Sequence, residues 1–492
     1  MSGAENSRQV PPNRIRLANS APLNPVGDYV LYWMSAFRRS GWNFALQRAA
    51  QMAEQLGKGL LVLEALRCDY PYASDRLHRF VLDGMADNAA AFANGPARYY
   101  PYVEPKQGGG KGLLAALAQR ACLVVADDAP ILFLPRMLAA AAARLPVALE
   151  AVDSNGLLPL RAADHDYPSA YAFRRFLQRE LPAHLLSLPL ADPLQGLNLP
   201  PVHLAAPLAE RWPQADAALT APGASLTYLP IDHSVDATSI RGGTCAGKDQ
   251  LDTFLRLRLH RYLERSEPAE TLSSGLSPYL HFGHIASQQI FAAIAAREEW
   301  SVGDLGPERR GQRQGWWGMS PPAEAFLDQL VTWRELGYNF ASIRSDGIDY
   351  TSLPEWARQT LDHHAGDPRP VRYNREELGA ALTHDPLWNA AQRQLVQEGT
   401  IHNYLRMLWG KKILEWSASP QQAMAIMFQL NDRYALDGRD PNSASGIGWC
   451  LGRYDRPWGP ERPIFGKIRY MSSANTARKF RLGTYLKDYG TD

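Results

Sequence analysis

The sequence has 492 residues, 52 Lys and Arg against 50 Asp and Glu, a formal net charge of +2, and 46% hydrophobic against 21% charged residues. This composition excludes a disordered or fibrous chain, and the length accommodates roughly two to four domains. Near-neutrality excludes a uniformly basic nucleic-acid coat and leaves a local basic patch open.

Residues 1–28 are polar, with Arg8, Arg14, Arg16, Pro11, Pro12 and Pro22 and no apolar run that could serve a secretion signal, and read as a flexible tail. From residue 29 short apolar runs alternate with helical patterns. Strands are predicted over 29–34, 60–66, 99–103, 123–126 and 147–152, and helices over 43–56, 75–92, 112–120 and 136–144. Apolar strands without strict alternation, separated by helices, indicate a parallel sheet covered on both faces, so residues 29–190 are predicted to form a doubly wound α/β domain. Residues 191–237 are proline-rich and read as a connector. Residues 238–492 are predicted to be helical, with helices over 250–265, 284–297, 323–338, 386–398, 402–416 and 420–430. An insert over 301–322, bearing Arg309, Arg310, Arg313, Trp316 and Trp317, reads as a loop.

Cys68, Cys122, Cys245 and Cys450 form no Cys-x-x-Cys pair, which indicates a reducing, cytoplasmic compartment. No apolar run approaches the length of a bilayer span, so no membrane association is expected. Gly108-Gly-Gly-Lys-Gly112 lacks the Ser or Thr that a phosphate-binding loop needs after its lysine. No histidine set has metal-ligand spacing, so no metal is expected, and there is no G-x-S-x-G elbow.

Ten of the 13 tryptophans lie between residues 300 and 458. Trp409 and Trp416 are seven apart on one predicted helix and share a face. With Trp388 on a neighbouring helix they could pass an electron in short hops, although seven-residue spacing is equally a core-packing signature. Between Arg453 and Arg481 eight Lys and Arg face Asp455 and Glu461. These cations interleave with Trp449, Tyr454, Trp458, Phe465 and Tyr470, a pattern that suits phosphate neutralisation and base stacking as well as it suits a solvated basic tail.

Six ordered motifs resemble the DNA photolyases, specifically those of class II that act on cyclobutane pyrimidine dimers. They are Leu276-Ser-Pro-Tyr-Leu-His-Phe-Gly283, Thr383-His-Asp-Pro-Leu-Trp-Asn389, Met407-Leu-Trp-Gly-Lys-Lys-Ile-Leu-Glu-Trp416, Leu430-Asn-Asp-Arg-Tyr434, Leu436-Asp-Gly-Arg-Asp-Pro-Asn442 and Gly466-Lys-Ile-Arg-Tyr-Met471. Val30-Leu-Tyr-Trp-Met-Ser35 looks like the start of that family's antenna domain. The resemblance implies an antenna domain over 29–190, a helical FAD-binding catalytic domain over 238–492, and a second, antenna chromophore of the deazaflavin or folate type. The implied activity is light-driven repair: reduced FAD donates an electron to a thymine dimer flipped out of UV-damaged DNA, and a monomer is expected to act.

Residue by residue, the resemblance places Tyr262, Ser273, Ser274, Leu276 and Ser277 around the FAD phosphates and ribityl chain. Arg406 and Asp437 match the salt bridge beside the flavin, and Asn431 the amide near its N5. Trp409, Trp388 and Trp416 become an electron chain in that order, from innermost to outermost. Trp333, Met407 and Trp449 match positions that pack on the dimer, and Arg265, Arg456 and Arg469 those that engage the lesion. The chain departs from the family at Gln329, which stands where a glutamate hydrogen-bonds the dimer. It departs again at Asn403, Ser266 and Ala36-Phe-Arg-Arg39, and its insert at 301–322 is longer than the family leads one to expect. Gln329 suggests the alternative of a cryptochrome-like flavin photoreceptor or a repair-deficient homologue.

Overall fold

The computed structural model describes residues 8–268 and 270–490. The described residues form two compact units, one within 8–163, 180–252 and 278–302, the other within 164–179, 253–277 and 303–490.

The first unit is built on six strands, β1 (Ile15–Leu17), β2 (Tyr29–Met34), β3 (Gly59–Leu66), β4 (Ala97–Val103), β5 (Ala121–Asp127) and β6 (Leu149–Val152), in the order β1-β6-β5-β2-β3-β4. Strands β2 to β6 are mutually parallel where they pair, and β1 lies antiparallel on β6. Every residue of β2 and β5 is buried, as expected for strands with helices on both faces. The crossovers are α1 (Phe44–Leu56), α2 (Asp75–Phe92), α3 (Leu113–Ala118) and α4 (Leu134–Ala142). Helix α1 illustrates the local logic. The Asn43 side chain accepts from the Ala45 and Leu46 N–H groups, and the helix stops at Gly57, where φ is 61°. The doubly wound sheet expected from the sequence is thus present.

The turn after β2 is organised by Asp127 at the end of β5. Its carboxylate accepts from the N–H groups of Ser35, Ala36 and Phe37 at 2.7–2.8 Å and from the Tyr32 hydroxyl at 2.7 Å. Burial raises its pKa, and the four hydrogen bonds oppose that rise. Gly283 (φ 72°) lies so close to this turn that a Cβ there would stand 1.9 Å from the Ala36 carbonyl oxygen.

The expected tail is corrected. Its residues 1–7 lie outside the described residues, but the remainder is fastened to the unit. Arg14 is buried and reaches Asp153 at 3.5 Å and the carbonyls of Gly156 and Leu157 at 3.1 and 2.6 Å, which carries Ile15–Leu17 onto the sheet edge. Arg8 donates to the Pro193 and Gln195 carbonyls. These arginines hold backbone rather than solvate a tail.

The second unit includes α5 (Ala170–Glu180, all but Glu180), α6 (Pro321–Leu327), α7 (Arg334–Ile343), α8 (Pro386–Glu398), α9 (Asn403–Trp416), α10 (Pro420–Tyr434) and α11 (Pro441–Cys450). Helices α8, α10 and α11 share one start signal: an Asp or Ser cap (Asp385, Ser419, Asp440) is followed by proline at the first helical position. The single helix expected over 323–338 is instead interrupted by a π turn, Asp328–Trp333, across which the Arg334 N–H reaches back five residues to the Gln329 carbonyl. The unit's core gathers Trp388, Trp409 and Trp416 with Leu405, Ile413, Met427 and Leu451.

All four cysteines are unpaired, Cys245 exposed and the others buried. Among the described residues no helix is long and apolar enough to cross a membrane.

Candidate active site in the helical unit

Helices α8 and α9 hold three tryptophans in one contact row. Trp388, fully buried, stacks parallel to Trp409 with ring centroids 6.5 Å apart and meets Trp416 edge-on at 5.5 Å. The middle ring is fixed by its indole N–H, which donates to the Trp409 carbonyl at 3.0 Å. Trp409 donates in turn to Gln392 Oε1 at 2.8 Å. The order expected from the motifs, Trp409 then Trp388 then Trp416, is the order of contact. The same close packing that builds the core sets these rings at the spacing that short electron hops would require.

Trp416 is itself only 3% exposed, so the row of three stops short of solvent. Tyr373 and His384 meet it edge-on at 5.3 and 5.4 Å, and His384 is exposed. The Tyr373 hydroxyl pairs with His384 Nδ1 at 2.7 Å and accepts from the His384 backbone N–H at 2.8 Å. Sequence reading passed over this pair; the available signal was His384 inside the motif that contains Trp388.

A polar group is assembled from α9, α10 and the turn after α10. Arg406 Nη2 donates to both oxygens of Asp437, at 3.0 and 3.3 Å. Its other N–H groups have no protein acceptor among the described residues. Asn431 is buried, and its amide nitrogen donates to Asp432 Oδ1 at 3.0 Å and Ser443 Oγ at 2.8 Å, leaving Oδ1 as its uncommitted polar atom. Unfilled donors on a half-buried guanidinium and a fixed amide acceptor suit a polar, planar ligand that carries its own donors and acceptors, as a flavin does.

A second aromatic group is half-buried. Arg469 lies over both Trp449 (5.7 Å) and Trp458 (4.9 Å), and Arg456 over Trp458 (4.4 Å), so rings and guanidinium groups alternate. The ammonium of fully buried Lys411 stands 5.3 Å from the Trp449 ring and donates to the Cys450 carbonyl at 2.6 Å. Burial pushes its pKa down to about 8. Met407 is half-buried on α9, and its carbonyl is 4.0 Å from Cys450 Sγ beside Trp449. The structure thus brings Trp449, Arg456 and Arg469 together with Trp458 of the same basic aromatic segment and adds Lys411, which sequence reading did not assign to the site.

The remaining candidates lie on other elements. Tyr262 is buried edge-on against Phe254 and Phe326, its pKa pushed up to about 12 by burial, and Arg265 covers its ring at 4.7 Å. Ser273 and Ser277 are exposed and Ser274 half-buried in the loop that buries Leu276. Gln329 and Trp333 share the π turn, both half-buried. Among the described residues neither side chain has a hydrogen bond, ion pair or ring contact to the Trp449 group.

The fold is that of the photolyases and cryptochromes. The structure resembles a class III photolyase from Agrobacterium tumefaciens with a TM-score of 0.66 and 18% identity, covering 96% of this chain and 87% of that one. It resembles a Synechocystis cryptochrome equally, with a TM-score of 0.66 and 15% identity over 94% of this chain and 89% of that one. Within that fold, the chain belongs to the deoxyribodipyrimidine photo-lyase family. It is 36% identical to the deoxyribodipyrimidine photo-lyase of Methanothermobacter thermautotrophicus (96% of this chain, 97% of the relative) and 34% identical to that of Oryza sativa (96% and 90%). Identity to the Arabidopsis thaliana protein of the same name is 31% (97% and 92%). No family model matches the sequence.

Proposed function

We propose that this protein repairs cyclobutane pyrimidine dimers in DNA, using light absorbed by FAD held in the helical unit. The observation that carries this reading is the division of the tryptophans. Three are buried in a contact row, while Trp449 is half-buried in an alternating array with Arg469, Trp458 and Arg456. A photoreceptor needs the first group alone. A surface that stacks bases and neutralises phosphates is what a flipped lesion requires.

FAD, when bound, supplies the light absorption and the electron that opening of the cyclobutane ring needs. Arg406, paired with Asp437, and Asn431 through its Oδ1 would hold its polar groups, and Tyr262, Ser273, Ser274, Leu276 and Ser277 would line the remainder of its site. Trp409, Trp388 and Trp416 give an electron path through a dry core. At its exposed end the Tyr373 hydroxyl has an acceptor, His384 Nδ1, for its proton. Trp333, Met407 and Trp449 pack on the dimer, Arg265, Arg456 and Arg469 secure it, and Gln329 donates a neutral hydrogen bond to a base carbonyl. A second chromophore of the deazaflavin or folate type would belong to the first unit. That unit holds an open cavity of about 620 Å³, lined by Arg39, Trp42, Asn94, Thr244, Lys248 and Gln289 among others.

The test is illumination of reduced, FAD-loaded protein with an oligonucleotide carrying one thymine dimer, followed by a count of restored thymines. Restoration in the light and none in the dark is expected. Flavin photoreduction without restoration would favour the photoreceptor reading that Gln329 raises. Gln329→Glu should then increase the yield per photon, because a carboxylic acid can share a proton with the reduced base and an amide cannot.

A further inference from the structure

The insert at 301–322 has no part in the site described above, yet it is neither loose nor merely polar. Its neck is closed by the Gly306 N–H donating to the Trp316 carbonyl at 2.7 Å. Trp316 and Trp317 are buried edge to face, and buried Glu324 accepts from the N–H groups of Gly315 and Gly318 at 2.5 and 3.0 Å. The tip is pinned from α5. Gln178 accepts from the Gly311 N–H at 2.7 Å and donates to the Gln312 carbonyl at 2.8 Å, while Gly311 (φ 80°) is pressed so closely on Arg175 that a Cβ would stand 2.6 Å from its Cγ.

This hydrogen-bonded base displays Arg309, Arg310 and Arg313, all exposed, within five residues. Arg310 pairs with Glu308 at 3.3 Å, whereas Arg309 and Arg313 have no ion pair among the described residues. Arg175 is exposed beside them. Like charges on a fixed frame repel one another, and an anion that neutralises several together relieves that repulsion. The planar guanidinium fork favours phosphate, and a row of them a phosphate backbone. The loop is also wired to the substrate side of the unit. Buried Arg174 donates to the Gly311 carbonyl at 3.4 Å and to Asp328 Oδ1 at 2.8 Å, and Asp328 opens the π turn that carries Gln329 and Trp333.

We propose that the tip of this insert is a second DNA contact: Arg309, Arg310 and Arg313 bind backbone phosphates of the duplex outside the lesion, irrespective of sequence or damage. The proposal rests on the DNA-repair reading above and adds to it a site for undamaged flanking duplex.

The test measures binding of wild-type protein and of the triple variant R309S/R310S/R313S to a labelled duplex, with and without one thymine dimer, from 50 to 200 mM salt. At about 0.9 in the log–log salt slope per phosphate contact, loss of three contacts should flatten the slope by roughly 2 to 3 and weaken binding at 0.1 M salt on the order of 100-fold. Both duplexes should be weakened by the same factor, so that discrimination for damage is kept. The charge-conserving variant R309K/R310K/R313K should retain most of the slope. Wild-type binding with an unaltered slope in the serine variant would overturn this inference alone. A wild-type protein that binds neither duplex would overturn the repair reading and this inference with it.

Discussion

Lys411 offers a test of how the site's electrostatics are set. Its ammonium is fully buried on α9, with one hydrogen bond to the Cys450 carbonyl and the Trp449 ring beside it, and burial lowers its pKa from 10.5 to about 8. At pH 7 both folded and unfolded chains carry the proton, and holding it in the folded state costs about 3 kcal/mol. Between pH 8 and 10.5 the folded chain has released the proton and the unfolded chain has not, so wild-type stability rises through that window as the penalty is lifted. Lys411→Met removes the charge but leaves the Cys450 carbonyl without its donor, a loss of about 1–3 kcal/mol. The variant should therefore be as stable as wild type, or slightly more so, at pH 7, and the less stable of the two above pH 10.5. The swing in the difference is about 3 kcal/mol. The Cys450 thiol, pushed up to about 11 by burial, titrates in both chains and largely cancels. Urea unfolding followed by tryptophan fluorescence at several pH values measures the difference. A gap between the two proteins that is constant from pH 7 to 11 would refute a buried, penalised cation.

Trp388→Phe removes the middle ring of the row and the donor to the Trp409 carbonyl. Photoreduction of bound FAD by an external donor should fall to background with FAD content retained, as read from flavin absorbance under steady light; an unchanged rate would take Trp388 out of the path. Gly283→Ala combines a positive φ of 72° with a Cβ 1.9 Å from the Ala36 oxygen, and should destabilise by about 2–4 kcal/mol. Gly57→Ala, with φ of 61° and open space around it, should cost about 1 kcal/mol, so equal urea midpoints for the two variants would refute the proposed clash.

Much of both units was legible because the determinants are local. The strand over 29–34 and the helices over 75–92 and 386–398 have the predicted limits, since uninterrupted apolar runs, 3.6-residue periodicity and the Asp385-Pro386 start all act within a few residues. Strand β1 was not legible: three residues have no period to read, and what places them is Arg14 bonding to carbonyls more than 140 residues away. The π turn was hidden for a similar reason, because residues 323–338 have ordinary helical patterning and the extra residue is declared by one backbone bond into Gln329. At the site, the identities of Trp388, Trp409 and Trp416 were readable from motifs. The extension through Tyr373 and His384, and the placing of Lys411 beside Trp449, depend on which helices meet.

The interleaving of the two units has a consequence for biosynthesis. Residues 164–179 belong to the helical unit, and their Arg174 and Gln178 bond to Gly311, Gln312 and Asp328, all beyond residue 303. Helix α5 also buries Phe173, Phe176 and Leu177. At roughly 5–20 residues per second, an emerging α5 waits about 6 to 25 s for the first of those residues to be made. The first unit ends at residue 302, so its residues are all made while α5 still lacks the partners that follow residue 303. A nascent chain at that stage is a natural client for a chaperone, and a fragment ending between residues 190 and 300 would carry α5 as a sticky, permanently unmatched face.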